Sequence, residues 1–391
     1  MAFEEGYPTF FESWWLEQAN QALAHKQGYP DLQKLEPIIS RISDVFTWLR
    51  EEDISENYRD PLQVVAYGLF FFPQTFCRFS FPIHELVERH QWMPPTDRPL
   101  RILDLGCGSG AATFSCIHQL TQYFPGISLS CVGVDQSSEN IKFARSLGDS
   151  WTQNHATANV QLKWIRQNIT GSGFSWERSP FNQPWDFILM SFSFSEFVTG
   201  LEPDDIHTAL FELGNALGDK GICLLTEPAL QETSILVETL RDAVASSDFF
   251  TVLAPCLHQT PCPALTGKTF WCHEVRKWKP PQTLATLNTR LHRDIRFLKF
   301  SFLSFQRGVL SQSQKESPES FRLVSPVSKK AGQLVCKGCA ADGRINTYEW
   351  LTRHLEKNQI KNQLGLERGD QVTFRSLKKL NTEHRYRVVP G

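Results

Sequence analysis

The order of apolar and polar positions divides the chain into three stretches. Through residues 1–97 apolar side chains recur three and four apart, most clearly in LEPIISRISDVFTWL (35–49) and VVAYGLFF (64–71). That spacing predicts a helical N-terminal module. It closes on MPPTDRP (93–99), whose prolines mark a linker. From Arg101 the period changes. RILDL (101–105) is a short apolar run entering a glycine-rich turn, and AATFSCIHQLTQYF (111–124) follows at helical spacing. SLSCVGVD (128–135), VQLKWIR (160–166), WDFILMSFSF (185–194) and GICLLTEP (221–228) read as further strands. SSENIKFARSL (137–147), PDDIHTALFELGNAL (203–217) and QETSILVETLRDAV (231–244) read as helices, the first capped by Ser137 or Ser138. Strands alternating with helices predict the α/β class, with a parallel sheet covered on both faces over residues 98–250. In the last stretch, 251–391, FLKFSFLSFQR (297–307) alternates as a strand returning to that core. RLVSPV, GQLVC, RINTYEW and QVTFRSL predict a small, mainly β module beyond it. No internal repeat or low-complexity tract interrupts the pattern.

Composition changes this picture little. Hydrophobic residues make up 41% and charged residues 21%, which excludes disorder as the main state. No apolar run approaches the ~18–20 residues of a membrane span. The N-terminal MAFEEGYPTFFESWW is acidic and aromatic, unlike a signal or transit peptide. A cytoplasmic, monomeric chain with no membrane contact is expected. Charge changes more. Residues 1–270 hold 17 Lys and Arg against 32 Asp and Glu, and residues 271–391 hold 23 against 10. A basic final third on an acidic body has the electrostatics of a polyanion reader or of a solvated basic surface. Arg276, Lys277, Lys279, Arg290 and Arg293 are the expected contacts of such a polyanion.

The sharpest motif is Asp104-Leu105-Gly106-Cys107-Gly108-Ser109-Gly110, which leaves a strand and enters a helix. Asp135 ends the next strand, where a carboxylate can accept both ribose hydroxyls of an adenosine ligand. A dinucleotide loop is spaced G-x-G-x-x-G, to rest a pyrophosphate on the helix N-terminus. Here the spacing is G-x-G-x-G, with an aspartate two residues ahead. That acid suits the cationic methionine end of S-adenosylmethionine and repels a pyrophosphate. This is the pattern of the class I methyltransferases. Asp104, Gly106, Gly108, Gly110 and Asp135 are the expected cofactor contacts, with Asn168 against the adenine. Strand four ends in Met190-Ser191-Phe192-Ser193-Phe194-Ser195-Glu196-Phe197, without the Asn/Asp-Pro-Pro-aromatic motif of amino-directed methyltransferases. Glu196 is the one ionisable group there, a base, a ligand contact or a helix cap. No catalytic residue is identified.

Ten cysteines fall into two kinds. Cys77, Cys107, Cys116, Cys131 and Cys223 stand among apolar neighbours and read as core. Cys256, Cys262 and Cys272 are spaced C-x5-C-x9-C, and Cys336 and Cys339 follow. Prolines at 255, 261 and 263 stiffen the first loop. A fourth thiolate from Cys336 or Cys339 would complete a set suited to zinc or to an iron–sulfur cluster, with His258 and His273 as substitutes more apt for zinc.

AYGLFFFPQTF (66–76), LDLGCGSGAAT, SFSFSEF, APCLHQTPCP with WCHE, LKFSFLSFQR, CAADGRI and ERGD together resemble the methyltransferase-like family associated with the mitochondrial ribosomal small subunit, which also has bacterial members. The resemblance runs from about residue 60 to 372. It implies a class I S-adenosylmethionine-binding fold, a 4Fe-4S cluster, contact with rRNA and a role in small-subunit assembly. By motif it implies Cys256, Cys262, Cys272 and Cys339 as the cluster ligands and leaves Cys336 a spare thiol. Two functions follow: methyl transfer to rRNA, or an RNA-binding assembly factor that keeps the cofactor pocket without turnover. A small-molecule methyltransferase fits the charge division least. Glu274 after Trp-Cys-His, and Phe71-Phe72 before Pro73, depart from the family's usual residues.

Overall fold

A computed structural model describes residues 6–24, 30–47, 60–169, 175–198, 203–267, 270–308, 320–380 and 384–389. Four helices come first: α1 (Thr9–Ala22), α2 (Glu36–Thr47), α3 (Pro61–Phe70) and α4 (Phe72–Glu88). Residues 48 and 49, which end the predicted second helix, lie outside the described residues. Asp60 and Gln63 close a reciprocal capping box at the start of α3, with Pro61 at the first helical position, where no N–H is needed. Then come β1 (Leu100–Leu105), α5 (Ala111–Tyr123), β2 (Leu129–Asp135), α6 (Ser138–Asn154), β3 (Val160–Arg166), β4 (Trp185–Ser191) and α7 (Phe194–Phe197). Ser137 caps α6 by accepting the Asn140 N–H. α8 (Pro203–Ala216), β5 (Leu217–Pro228), α9 (Gln231–Ser246), β6 (Phe250–Ala254), α10 (Pro263–Gly267), β7 (Glu274–Lys277), α11 (Gln282–Arg290) and β8 (Phe297–Arg307) follow. The predicted strands and helices of the core all appear. β6, four apolar residues and Thr251, buried throughout with no alternation, is added to them.

The chain clusters into two compact units. The first takes residues 1–202, 215–221 and 277–298. Its strands pair in parallel in the order β3-β2-β1-β4. The order departs from β1 in both directions, which leaves a crevice at the carboxyl ends of β1 and β4. The N-terminal helices pack on α5 through interlocked aromatics. Phe11 lies 5.3 Å from Phe76 and 5.4 Å from Phe114, centroid to centroid. Ser115 Oγ of α5 donates to the Phe76 carbonyl of α4 at 2.7 Å. These contacts fix α4 beside the helix that leaves the glycine loop.

The second unit takes residues 203–214, 222–276 and 299–391. Here β8 runs antiparallel to both β5 and β6, giving the order β5-β8-β6. Beyond it stand β9 (Ser320–Leu323), β10 (Ser328–Lys330), β11 (Gln333–Ala340), β12 (Ile345–Leu351), α12 (Lys357–Leu364), β13 (Gln371–Thr373), β14 (Ser376–Lys379) and β15 (Arg385–Val389). Their order is β13-β9-β11-β12-β15-β14, with β10 also on β11. β13 and β14 are separated only by Phe374 and Arg375, so one bent strand pairs with β9 at its start and with β15 at its end. That closes the sheet into a five-strand barrel. β12 and β15 are parallel, and α12 lies between the third and fourth strands. This is the topology of an OB-fold. Phe321 stacks on Tyr348 at 3.6 Å in its core, among Leu334, Cys336, Trp350 and Val388.

Candidate functional site

The crevice is built by β1, β2 and β4. After Leu105 the chain turns through five residues into α5, and the turn needs its glycines. Gly106 has φ +72°, and a side chain there would run into Ser193. Ser193 itself closes the loop from the end of β4, its Oγ donating to the Leu105 carbonyl at 2.6 Å. Gly110, at φ +94°, faces Trp164 and Phe114 with no room for a side chain. Both positions combine left-handed backbone with close approach, which only glycine meets without strain.

Two carboxylates stand at this loop. Asp135 accepts the Gly108 N–H at 2.8 Å and the Ser137 N–H at 2.8 Å. Burial raises its pKa, and these hydrogen bonds hold it back. A carboxylate has about four acceptor sites, and with the Asn140 side chain also hydrogen-bonded to it one remains for a ligand. Asp104 accepts from Thr113 Oγ1 at 2.6 Å and from its N–H at 3.1 Å, both on Oδ2. Burial pushes its pKa up to about 7 against those bonds. Oδ1 of Asp104 is buried without a hydrogen-bond partner, as are Ser109 Oγ and Asn140 Oδ1. Buried polar atoms are normally satisfied, so this cluster of vacant ones marks a place for a polar ligand. Gln167 N–H donates to the Asp135 carbonyl at 2.9 Å, which brings the turn bearing the exposed Asn168 to the end of β2. The six cofactor residues named from sequence thus belong to one crevice and its rim. Glu196 is exposed on α7. A residue the sequence does not single out joins them: Arg78 of α4 lies over Phe192 at 5.4 Å and donates to Gln74 Oε1 at 3.2 Å.

A second site lies wholly in the second unit. Cys256, Cys262, Cys272 and Cys339 line one cavity of about 50 Å³, with His258 and Arg241 also in its wall. α9 organises it. Asp242 accepts the Cys262 N–H at 2.9 Å, and Glu238 accepts the Cys272 N–H. Arg241 donates to the carbonyls of His258 and Thr260 and so pins the loop after β6. Cys339 reaches the cavity from β11, its Sγ 3.4 Å from His258 Nε2. Burial, then the neighbouring Arg241 charge, lower His258 to about 4, so it is neutral at pH 7. Burial raises the Cys262 thiol to about 12 and lifts Cys272 and Cys339 as well. Cys336, three residues from Cys339, is in the barrel core. His273 also lines the cavity. Among the described residues no three or more His, Cys, Asp or Glu side chains are set to hold a single metal ion.

The basic residues distribute differently from the expectation. Arg276 is buried between Glu274 and Asp370. Arg290 pairs with Glu36, and Arg293 donates to Ser43 at 2.5 Å and lies over Phe70. These three hold structure together and are withdrawn as RNA contacts. Lys277 and Lys279 are exposed. The barrel presents Lys337, Lys378, Arg385 and Arg387 on the side of its strands away from the core, the two arginines each bound to the buried Glu349 at 2.7 Å.

A parallel run in the order 3-2-1-4, a reversed strand between the fifth and sixth, and a G-x-G-x-G turn after the first strand define a class I methyltransferase fold. The family described as mitochondrial small ribosomal subunit Rsm22 matches residues 61–372, and the chain belongs to it. Similar solved structures include the CurJ carbon methyltransferase (12% identity, TM-score 0.38, 75% of this chain and 71% of that one). They also include the citrinin polyketide synthase CMeT domain (18%, 0.34, 70% and 64%) and a methyltransferase from Pyrococcus furiosus (12%, 0.31, 59% and 83%). No curated protein matches the sequence. Among the described residues no helix is long and apolar enough to cross a membrane.

Proposed function

We propose that this chain binds S-adenosylmethionine in the β1–β2–β4 crevice, carries one 4Fe-4S cluster in the thiol cavity, and acts on or with small-subunit rRNA in ribosome assembly or translation. The observation that carries the reading is the convergence of Cys256, Cys262, Cys272 and Cys339 on one cavity in a member of the Rsm22 family. A single zinc ion, with Zn–S of about 2.3 Å, would draw four thiolates to about 3.8 Å from one another. No group of that kind is set for one ion among the described residues. Four thiols on one cavity suit either a cluster that binds one thiolate per iron or a zinc ion, and it is the resemblance of the cysteine motif that selects iron–sulfur here. Such a cluster would tie the OB barrel, through Cys339, to the loop after β6.

For the crevice, the vacant oxygen of Asp104 suits the cationic amino-acid end of S-adenosylmethionine, and Asp135 suits the ribose diol. When bound, the cofactor supplies an electrophilic methyl group. The chain's own residues bind and orient it. For RNA, an OB barrel with Lys337, Lys378, Arg385 and Arg387 on one side supports a backbone-tracking surface for a single strand. Glu349 holds both guanidinium groups in fixed directions.

A second reading, an assembly factor that keeps the pocket without turnover, is favoured by the mouth of β4. Residues 190–197 lack the Asn/Asp-Pro-Pro-aromatic motif that orients an amino nucleophile, and Glu196 is their one ionisable group. Cross-linking to RNA in cells, with mapping of bound and of methylated nucleotides, separates the readings. Bound small-subunit rRNA with a methyl group that disappears on deletion gives the enzyme. Bound rRNA without such a mark gives the assembly factor. Absence of rRNA cross-links would overturn both.

A further inference from the structure

Resting on the S-adenosylmethionine reading of the crevice, we propose that Arg78 is the receptor for the α-carboxylate of the cofactor's methionine portion. Three observations lead there. The first is position. α4 and α5 advance side by side, Phe76 meeting Ser115 and His118, and His84 meeting Tyr123 at 2.5 Å. Long side chains on a helix lean toward its N-terminus. Arg78 does so, its guanidinium meeting Gln74 one turn back, toward the end of α4 level with the glycine loop. There it lies over Phe192, the neighbour of the Ser193 that seals Gly106. The Tyr67 hydroxyl, raised mainly by burial, feels Arg78 on one hand and Asp135 and Glu196 on the other, which sets all four in one neighbourhood.

The second observation is an unmatched charge. Nε of Arg78 is buried with no hydrogen-bond partner, and no carboxylate among the described residues pairs with the guanidinium. Burial lowers its pKa to about 10, so it stays charged at neutral pH. A half-buried cation without a counter-ion carries a desolvation cost, and a ligand carboxylate relieves that cost through a two-pronged contact with the planar guanidinium.

The third is complementarity. The same loop presents the vacant Oδ1 of Asp104. One unpaired acid and one unpaired base at the same crevice match an α-amino acid, whose ammonium and carboxylate need one of each. The nucleotide end is left to Asp135 and the loop glycines.

The test compares S-adenosylmethionine with its decarboxylated form, which keeps the adenosine, sulfonium and amine and lacks only the carboxylate. Binding of each to the wild-type chain, Arg78→Met and Arg78→Lys is measured by calorimetry, with thermal melts as a folding control. Wild type should prefer the intact cofactor at least tenfold. Arg78→Met should lose at least tenfold for the intact cofactor and less than twofold for the decarboxylated one, so that the preference disappears. Arg78→Lys should recover part of it. If Arg78→Met weakens both ligands equally, the residue shapes the pocket and the proposal fails while the cofactor reading stands. Unchanged affinity for the intact cofactor also overturns it. A wild-type chain that binds neither ligand overturns this proposal and the cofactor reading together.

Discussion

Asp104 is held at the end of β1 by two hydrogen bonds from Thr113, and its other oxygen has no partner. Burial raises its pKa to about 7. A carboxyl raised in the folded state ionises at a cost, so its contribution to stability declines as pH climbs from about 4 through about 7. A ligand cation beside it favours the carboxylate. Binding of S-adenosylmethionine should therefore expel a proton in that window, and affinity should rise from pH 5.5 to about 7 and then level. Calorimetry in two buffers of different ionisation enthalpy reads this directly; flat affinity with no proton release would remove Asp104 from the ammonium site. Asp135→Ala should lower affinity at least tenfold, since each charge-assisted hydrogen bond contributes about 1.5–3 kcal/mol. Unchanged binding would sink the ribose assignment. These residues are legible in the sequence because one strand–turn–helix unit carries them and the backbone geometry is local. Arg78 is not, because its approach depends on how aromatic side chains of α1, α4 and α5 interlock across the fold.

At the scale of elements, β11 shows how a strand sorts its side chains. Alternate residues face opposite sides, so Cys336 enters the barrel core while Cys339 lines the thiol cavity. A spare thiol at Cys336 implies that Cys336→Ser is nearly silent. The buried position predicts otherwise: a hydroxyl without a partner there costs about 1–3 kcal/mol. Cys336→Ser should lower the melting temperature and keep its metal, and Cys336→Ala should keep its metal too. Cys339→Ser should lose it. Metal loss from Cys336→Ala would show that the wrong thiol is assigned. The strands around these residues are readable from their β-prone composition. The closed barrel is not, because it depends on one strand, split at Phe374-Arg375, pairing with β9 and β15 at its two ends.

Across the whole molecule, the excess of 23 basic over 10 acidic residues in 271–391 points to a polyanion, and the count alone cannot locate the contact. Structure removes Arg276, Arg290 and Arg293 from it and keeps the exposed Lys277 and Lys279, to which the barrel adds Lys337 and Lys378 beside the Glu349-bound Arg385 and Arg387. RNA binding should weaken steeply with salt. Lys337→Glu with Lys378→Glu should reduce that dependence by about two phosphate contacts' worth, because each neutralised phosphate releases counter-ions. An unchanged salt slope would place the RNA elsewhere. The central claim is that four thiols from β11 and from the chain between β6 and β7 hold an iron–sulfur cluster in a chain that also binds S-adenosylmethionine. Metal analysis and absorption spectra of anaerobically purified wild type and Cys339→Ser test it most directly. The account predicts brown wild-type protein with four irons per chain, and a colourless Cys339→Ser variant that still binds S-adenosylmethionine. Colourless wild-type protein with one zinc per chain, or with no metal, would contradict it.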